Sequence, residues 1–190
     1  MRATSPGQSA LLALDVIDVL NRLRVPYAII GAFAASFYGV VRASLDVDAV
    51  ISLRSGQADV KALTDELHRA GLKTIHRTGG ASDPVGAVLN VEDEFRNRVD
   101  LLMKIQGMSE AVFSRTVKAE FMKTDIRVIG LEDFIAMKLF AGSPRDIDDA
   151  AGAFKVSADR IRLPLLKELV APYGQEALQR LASLLQQRSS

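Results

Sequence analysis

Cysteine is absent from all 190 residues. Disulfides, thiolate metal sites and cysteine nucleophiles are therefore excluded, and the composition fits a reducing compartment. An excess of one charge is missing too: 24 Lys and Arg stand against 23 Asp and Glu. The whole chain thus lacks the basic footprint typical of a nucleic-acid binder, although a local basic groove would not show in totals. Long apolar runs are lacking as well. The longest near the N-terminus, Ala10 to Leu23, is broken by Asp15 and Asp18 and is too short and too charged for a bilayer. No secretion signal with a cleavage site is visible, and the expectation is a cytoplasmic protein without a membrane partner. There is no internal repeat and no low-complexity segment. About half of the residues are apolar and a quarter charged, the profile of an ordinary globular chain long enough to bury a core without staples.

What is present alternates between two periodicities. Residues 9–23 carry Leu11, Leu12, Val16, Val19, Leu20 and Leu23 at helical spacing, and Pro26 follows the expected end. Tyr27–Ile30 reads as a short buried strand, then Gly31 opens a small-residue helix to Tyr38, stopped by Gly39. DVDAVIS at 46–52 is the next strand, and 57–70 an amphipathic helix on Val60, Leu63 and Leu67. Further strands are expected at 73–77, 86–91 and 98–103, the last two as a hairpin across 92–97. A helix is expected at 109–117 and a strand at 126–129. From Leu131 onward the pattern is wholly helical: 131–141, a helix starting at Ser143–Pro144, then 158–171 and 174–187. This predicts an α/β (α+β) domain with a mixed sheet over 1–130 and a C-terminal helical region over 131–190, with a soft boundary because no linker composition marks it.

The chemistry-bearing residues are carboxylates. Asp46 and Asp48 sit two apart in a strand and so point to one face. Asp100 interrupts the apolar run Val99-Asp100-Leu101, a costly place for a charge without a partner. It is the hardest of the three to explain without a metal. Three converging carboxylates would repel, and a hard divalent ion with oxygen ligands is their natural counter-charge. A lone D-x-D strand is equally a solvated face or a salt-bridge partner. Upstream, Gly31 lets backbone approach a ligand closely at a helix start, where free N–H groups favour an anion; it also reads as a tight turn and nothing more. His68 and His76 have no partner spacing, and no zinc is expected.

The run GAFAASFYGVVRASLDVDAVI resembles the signature of the DNA polymerase β-type nucleotidyltransferase superfamily. That signature is a Gly-Gly or Gly-Ser pair at a strand–helix turn, then a carboxylate–apolar–carboxylate strand. Gly31–Ala32 stands at the pair, Asp46 and Asp48 at the carboxylates, and Asp100 in RVDLLMK at the third carboxylate. The spacer YGVVRASLDVD and the later block GLEDFIAMKLFAGSPRDIDDA, with Lys138, Asp146 and Asp149, are similar to the branch that includes abortive-infection (AbiE-type) toxins. The resemblance covers roughly residues 25–155. One departure is Ala32, which removes a serine hydroxyl from the phosphate turn.

The resemblance implies a nucleotidyltransferase fold and Mg2+ or Mn2+ on Asp46, Asp48 and Asp100. It implies transfer of a nucleoside monophosphate from a nucleoside triphosphate to an acceptor (RNA, protein or small molecule) with release of pyrophosphate. A toxin–antitoxin role with an antitoxin partner belongs to the same implication, and a catalytically inactive binding or regulatory module is the alternative. Lys138 and Arg42 would neutralise phosphate charge, yet each also reads as an exposed side chain. Asp146 reads equally as polar support for the site and as part of a Ser143-Pro144-Arg145-Asp146 helix cap.

Overall fold

The computed structural model describes residues 3–53 and 59–186. Its strands are β1 (Tyr27–Ile29), β2 (Asp46–Ile51), β3 (Lys73–Thr78), β4 (Val85–Glu92), β5 (Arg98–Ile105), β6 (Val117–Phe121) and β7 (Thr124–Val128). The helices are α1 (Ser9–Arg22), α2 (Gly31–Phe37), α3 (Val60–Arg69), α4 (Leu131–Ala141), α5 (Pro144–Val156), α6 (Leu163–Val170) and α7 (Gln175–Gln186). The strands form one mixed sheet in the order β3-β4-β5-β2-β1-β7-β6. β2 runs parallel to β5 and antiparallel to β1, while β1 runs parallel to β7.

The period of two in the central strands decides which side is packed. Val47, Ala49, Val99, Leu101, Leu89 and Val91 are buried and share one face, against which α1 and α3 lie. Asp46, Asp48 and Asp100 share the opposite face. Hydrophobic burial of the first face fixes the register, because a one-residue slip would drive the carboxylates into the core.

Local signals set the helix ends. Asp59 caps α3 by accepting from the Ala62 N–H at 2.7 Å. Ser143 caps α5 by accepting from the Asp146 N–H at 3.2 Å, with Pro144 in its first turn. Gly142 ends α4 at φ +68°, the left-handed region that favours glycine.

Helix α4 is buried nearly all round, including Glu132, Asp133 and Lys138. Its acids are compensated by guanidinium groups: Arg115 donates twice to Asp133 at 2.7 Å, and Arg162 pairs with Glu132 at 3.2 Å. One core cluster runs from α1 through the sheet into α4, α6 and α7, with no break at residue 130. Among the described residues no helix is long and apolar enough to cross a membrane.

Two elements differ from expectation. In place of a helix over 109–117 there is a short 3-10 turn, Glu110–Ser114, and residue 117 already begins β6. The β6–β7 turn is made by Met122 and Lys123 at φ 49° and 64°, so the hairpin carries none of the usual Gly or Asn turn residues. The helix expected over 158–171 starts only at Leu163, because Pro164 fits only the first turn. The first two residues expected in α3 and the last expected in α7 lie outside the described residues.

Candidate functional site

Register brings the three aspartates together. In the parallel β2–β5 pair, Asp46 stands opposite Arg98 and Asp48 opposite Asp100. Asp46 accepts from the Ser44 hydroxyl at 2.7 Å. Asp48 lies directly against Gly31, whose φ is +63°; a Cβ there would come within 2.2 Å of Asp48 Oδ2. Both the backbone conformation and the close approach therefore require glycine. The Ile30 N–H donates to the Asp48 carbonyl at 2.9 Å, which fixes the turn beside the carboxylate.

Asp48 carries the electrostatic strain of the cluster. Burial, then the neighbouring charges of Asp46 and Asp100, push its carboxyl up to about 6, against the opposing pull of Lys138 and Arg98. Asp100 is better compensated than its apolar strand suggests. Arg98 reaches both of its oxygens, Nε to Oδ1 at 2.7 Å and Nη2 to Oδ2, and the Asn90 amide donates to Oδ1 at 2.7 Å. Arg98, two residues away on the same face, thus gives Asp100 a cationic partner within the protein itself. Among the described residues no group of three His, Cys, Asp or Glu side chains already stands in a metal-holding arrangement, and Arg98 sits on the oxygens of the third carboxylate.

Lys138 and Arg42 are not the exposed cations their alternatives describe. Lys138 is buried, and its ammonium lies 2.7 Å from Asp146 and 2.8 Å from Asp149. Arg42 reaches the same Asp149 oxygen at 2.6 Å, and its buried Nε has no hydrogen-bond partner. Asp146 serves both readings: it closes the Ser143 cap and it holds Lys138. Burial works to raise the Asp146 carboxyl, but hydrogen bonds from Lys138 and Ser143 prevail and hold it below the ordinary carboxylate range.

These groups line one open cleft of about 610 Å³, walled by Gly31, Ala32, Arg42, Ser44, Asp46, Asp48, Lys138, Arg145 and Asp146. Asp100 is not among its walls and sits one strand further along the sheet. A second pocket of about 580 Å³ shares Ala32, Arg42, Ser44 and Asp46 and is lined by Phe33, Phe37 and Phe121. Sequence reasoning missed Arg98 and Asn90. The signal for Arg98 was its two-residue spacing from Asp100; Asn90 needed the β4–β5 register.

No family model matches the chain, and no curated protein matches it in sequence. Solved structures do. ANT(2")-Ia, in complex with adenylyl-2"-tobramycin, superposes with a TM-score of 0.55 at 15% identity, covering 85% of this chain and 94% of that one. An antigenic nucleotidyltransferase-like protein from Paracoccidioides brasiliensis gives 0.55 at 13%, covering 98% and 92%. A candidate nucleotidyltransferase from Thermotoga maritima gives 0.55 at 14%, covering 84% and 98%. The fold is that of the nucleotidyltransferases. At such identities the likeness concerns the fold alone and stops short of the abortive-infection branch.

Proposed function

We propose that this chain is a divalent-metal-dependent nucleotidyltransferase. The observation that carries the reading is the β2–β5 register, which sets Asp46, Asp48 and Asp100 on one face beside the Gly31 turn. The residues fit a hard cation. All three donors are carboxylates, the hard oxygen ligands such an ion takes, and burial, followed by the charges of Asp46 and Asp100, raises the Asp48 carboxyl. Asp46 and Asp48 would hold Mg2+ or Mn2+, and Asp100 would join once Arg98 withdraws. When bound, the metal supplies charge neutralisation at the transferring phosphate.

The chain's own residues divide the remaining work. Gly31 and Ala32 bring backbone close to the phosphates, and Arg42, Lys138 and Arg145 face them across the cleft. The acceptor hydroxyl oxygen forms a bond to the α-phosphorus as the bond to the bridging β-phosphate oxygen breaks, and pyrophosphate leaves. Asp100, one strand further along the sheet, would take the hydroxyl proton at its carboxylate once Arg98 withdraws. Helices α4 and α5 contribute Lys138 and Asp146, so the region 131–190 acts as part of the site built on residues 1–130. The spacer with Arg42 and Ser44, together with the Lys138 block, supports the abortive-infection branch and an antitoxin partner.

Incubation with α-labelled nucleoside triphosphates and Mg2+ tests the reading, with RNA, protein and aminoglycoside acceptors side by side. Label transfer that is lost in Asp46→Asn supports it. Absence of transfer, of Mg2+ binding and of nucleotide binding would sink it. A second reading, a non-catalytic binding module, is favoured by Arg98 occupying Asp100 and by Ala32 in the phosphate turn. It expects partner binding that is indifferent to Asp46→Asn.

A further inference from the structure

The three aspartates sit at the very end of the β2–β5 ladder. Asp46 and Arg98 are the first residues of these two parallel strands and stand opposite each other, and ahead of both the chain leaves in loops. Ladder ends are where paired strands open first. Here the opening is also driven by charge. Asp48 and Asp100 lie directly opposite, and like charges in that position push two strands apart. Arg98 offsets only the Asp100 side.

This end is held from the N-terminal segment. Ser9, the first residue of α1, is 5% exposed. Its hydroxyl donates to the Leu45 carbonyl, just ahead of β2, and accepts from the Arg98 N–H at 3.0 Å, at the start of β5. One oxygen therefore links the two strand ends as an added rung. Asn97, which is 1% exposed, anchors the same segment next door. Its Oδ1 accepts from the Gln8 N–H at 2.7 Å, and its amide donates to the Ser5 carbonyl at 3.0 Å and to Asp93 at 2.8 Å. These bonds end on backbone groups and on Asp93. The aspartates of the site are reached only through the strands that carry them.

We propose that Ser9 is a positioning residue for the carboxylate site: its hydroxyl, anchored beside Asn97, holds the ends of β2 and β5 together so that Asp46, Asp48 and Asp100 share one cation. The inference deepens the metal-dependent reading and rests on it, whereas the clamp itself rests on the hydrogen bonds alone. Helix α1 gives the hydroxyl a fixed seat, because Leu12, Val16 and Leu20 are buried against the sheet. Removing the hydroxyl removes both of its bonds at once and leaves every side chain of the two strands unchanged. Mg2+ demands near-ideal octahedral geometry from its oxygen ligands, so a loosened strand end weakens metal binding before it threatens the fold.

The test follows three variants of the full chain by Mg2+ titration calorimetry, thermal melting and amide hydrogen exchange. Ser9→Ala binds Mg2+ roughly tenfold more weakly than the parent, the lower end of the range for groups that orient metal ligands from outside. Its amides at 46–48 and 98–100 exchange faster than in the parent, while those of the β3–β4 pair do not. Ser9→Thr keeps the hydroxyl and with it the parent's Mg2+ affinity. Asp59→Ala, which removes the α3 cap elsewhere in the fold, lowers the melting temperature and leaves Mg2+ affinity unmoved. A Ser9→Ala protein that melts earlier yet binds Mg2+ like the parent has lost stability alone, which overturns the proposal. Ser9→Thr binding as weakly as Ser9→Ala overturns it too. If the parent binds no Mg2+, the metal reading fails and exchange decides the clamp. Faster exchange confined to 46–48 and 98–100 in Ser9→Ala then supports it, and unchanged exchange overturns it.

Discussion

Two charged clusters face each other across the cleft, and they handle the same problem in opposite ways. On one side Lys138 of α4 and Arg42 of the α2–β2 loop meet Asp146 and Asp149 of α5, two cations for two anions, all within 2.8 Å. On β2 and β5, three carboxylates share one guanidinium, that of Arg98, which is committed to Asp100. The first cluster is complete as folded. The second is left with uncompensated charge, and the strain falls on Asp48. Buried charges that cancel depend on one another, since removing one strands its partner; crowded like charges in a cleft mark a candidate binding site.

Breaking the balanced cluster should have the largest effect. Lys138→Met keeps the apolar stem but strands Asp149, whose side chain is 4% exposed, with Arg42 alone. Removing one partner of a buried ion pair costs about 3–5 kcal/mol, and Arg42 places this variant near the lower end. Denaturant unfolding at pH 7 measures it; a loss under about 1 kcal/mol would contradict the mutual dependence. The folded-state carboxyl of Asp146 is depressed. Its stabilising contribution is therefore full above the ordinary aspartate range and fades as pH falls through it, and the gap between parent and variant should narrow in acid.

Relieving the unbalanced cluster should act with the opposite sign. Asp48→Asn removes the charge that burial, Asp46 and Asp100 disfavour. The folded carboxyl stands near 6 against 3.8 unfolded, so its ionised form destabilises the metal-free fold at pH 7 by about 1–3 kcal/mol. As pH falls from about 6 toward 3.8 the folded state takes up its proton first, and the penalty disappears. The variant should be more stable than the parent at pH 7 and equal to it near pH 3.5–4. Saturating Mg2+ should stabilise the parent and leave Asp48→Asn unmoved. A variant less stable than the parent at pH 7 would contradict the assigned strain.

The contrast also explains what was legible in the sequence. Asp46 and Asp48 follow from the two-residue period of a strand, which needs no tertiary knowledge. Gly31 beside them was readable as a turn, although only the structure shows that its missing Cβ makes room for Asp48. Asp100 needed the β2–β5 pairing, a contact between segments some fifty residues apart, and its partner Arg98 was hidden by attention to the apolar run around it. Lys138 reads in sequence as a phosphate cation or as an exposed helix edge, and only the structure removes the second reading; its burial depends on α5 folding back with Asp146 and Asp149. Strand β6 escaped because its turn is made by Met122 and Lys123 at positive φ, where turn chemistry gives no warning.

The smallest effect, and the one that joins the two clusters' logic, concerns Arg98. Its side chain is 48% exposed while that of Asp100 is 11% exposed, so the pair is only partly screened. Arg98→Ala should lower metal-free stability by about 1 kcal/mol, near the top of the range for exposed pairs, because Asp100 is left facing Asp48. The same change should tighten Mg2+ binding several-fold, since no guanidinium has to be displaced from the carboxylate oxygens. Titration calorimetry of Mg2+ into parent and variant separates the outcomes. Tighter binding would mean that Arg98 competes with Mg2+ for the Asp100 carboxylate. Weaker binding would make it a positioning residue that holds Asp100 in place for the metal, and the β2–β5 cluster would then resemble its balanced counterpart more than its charges suggest.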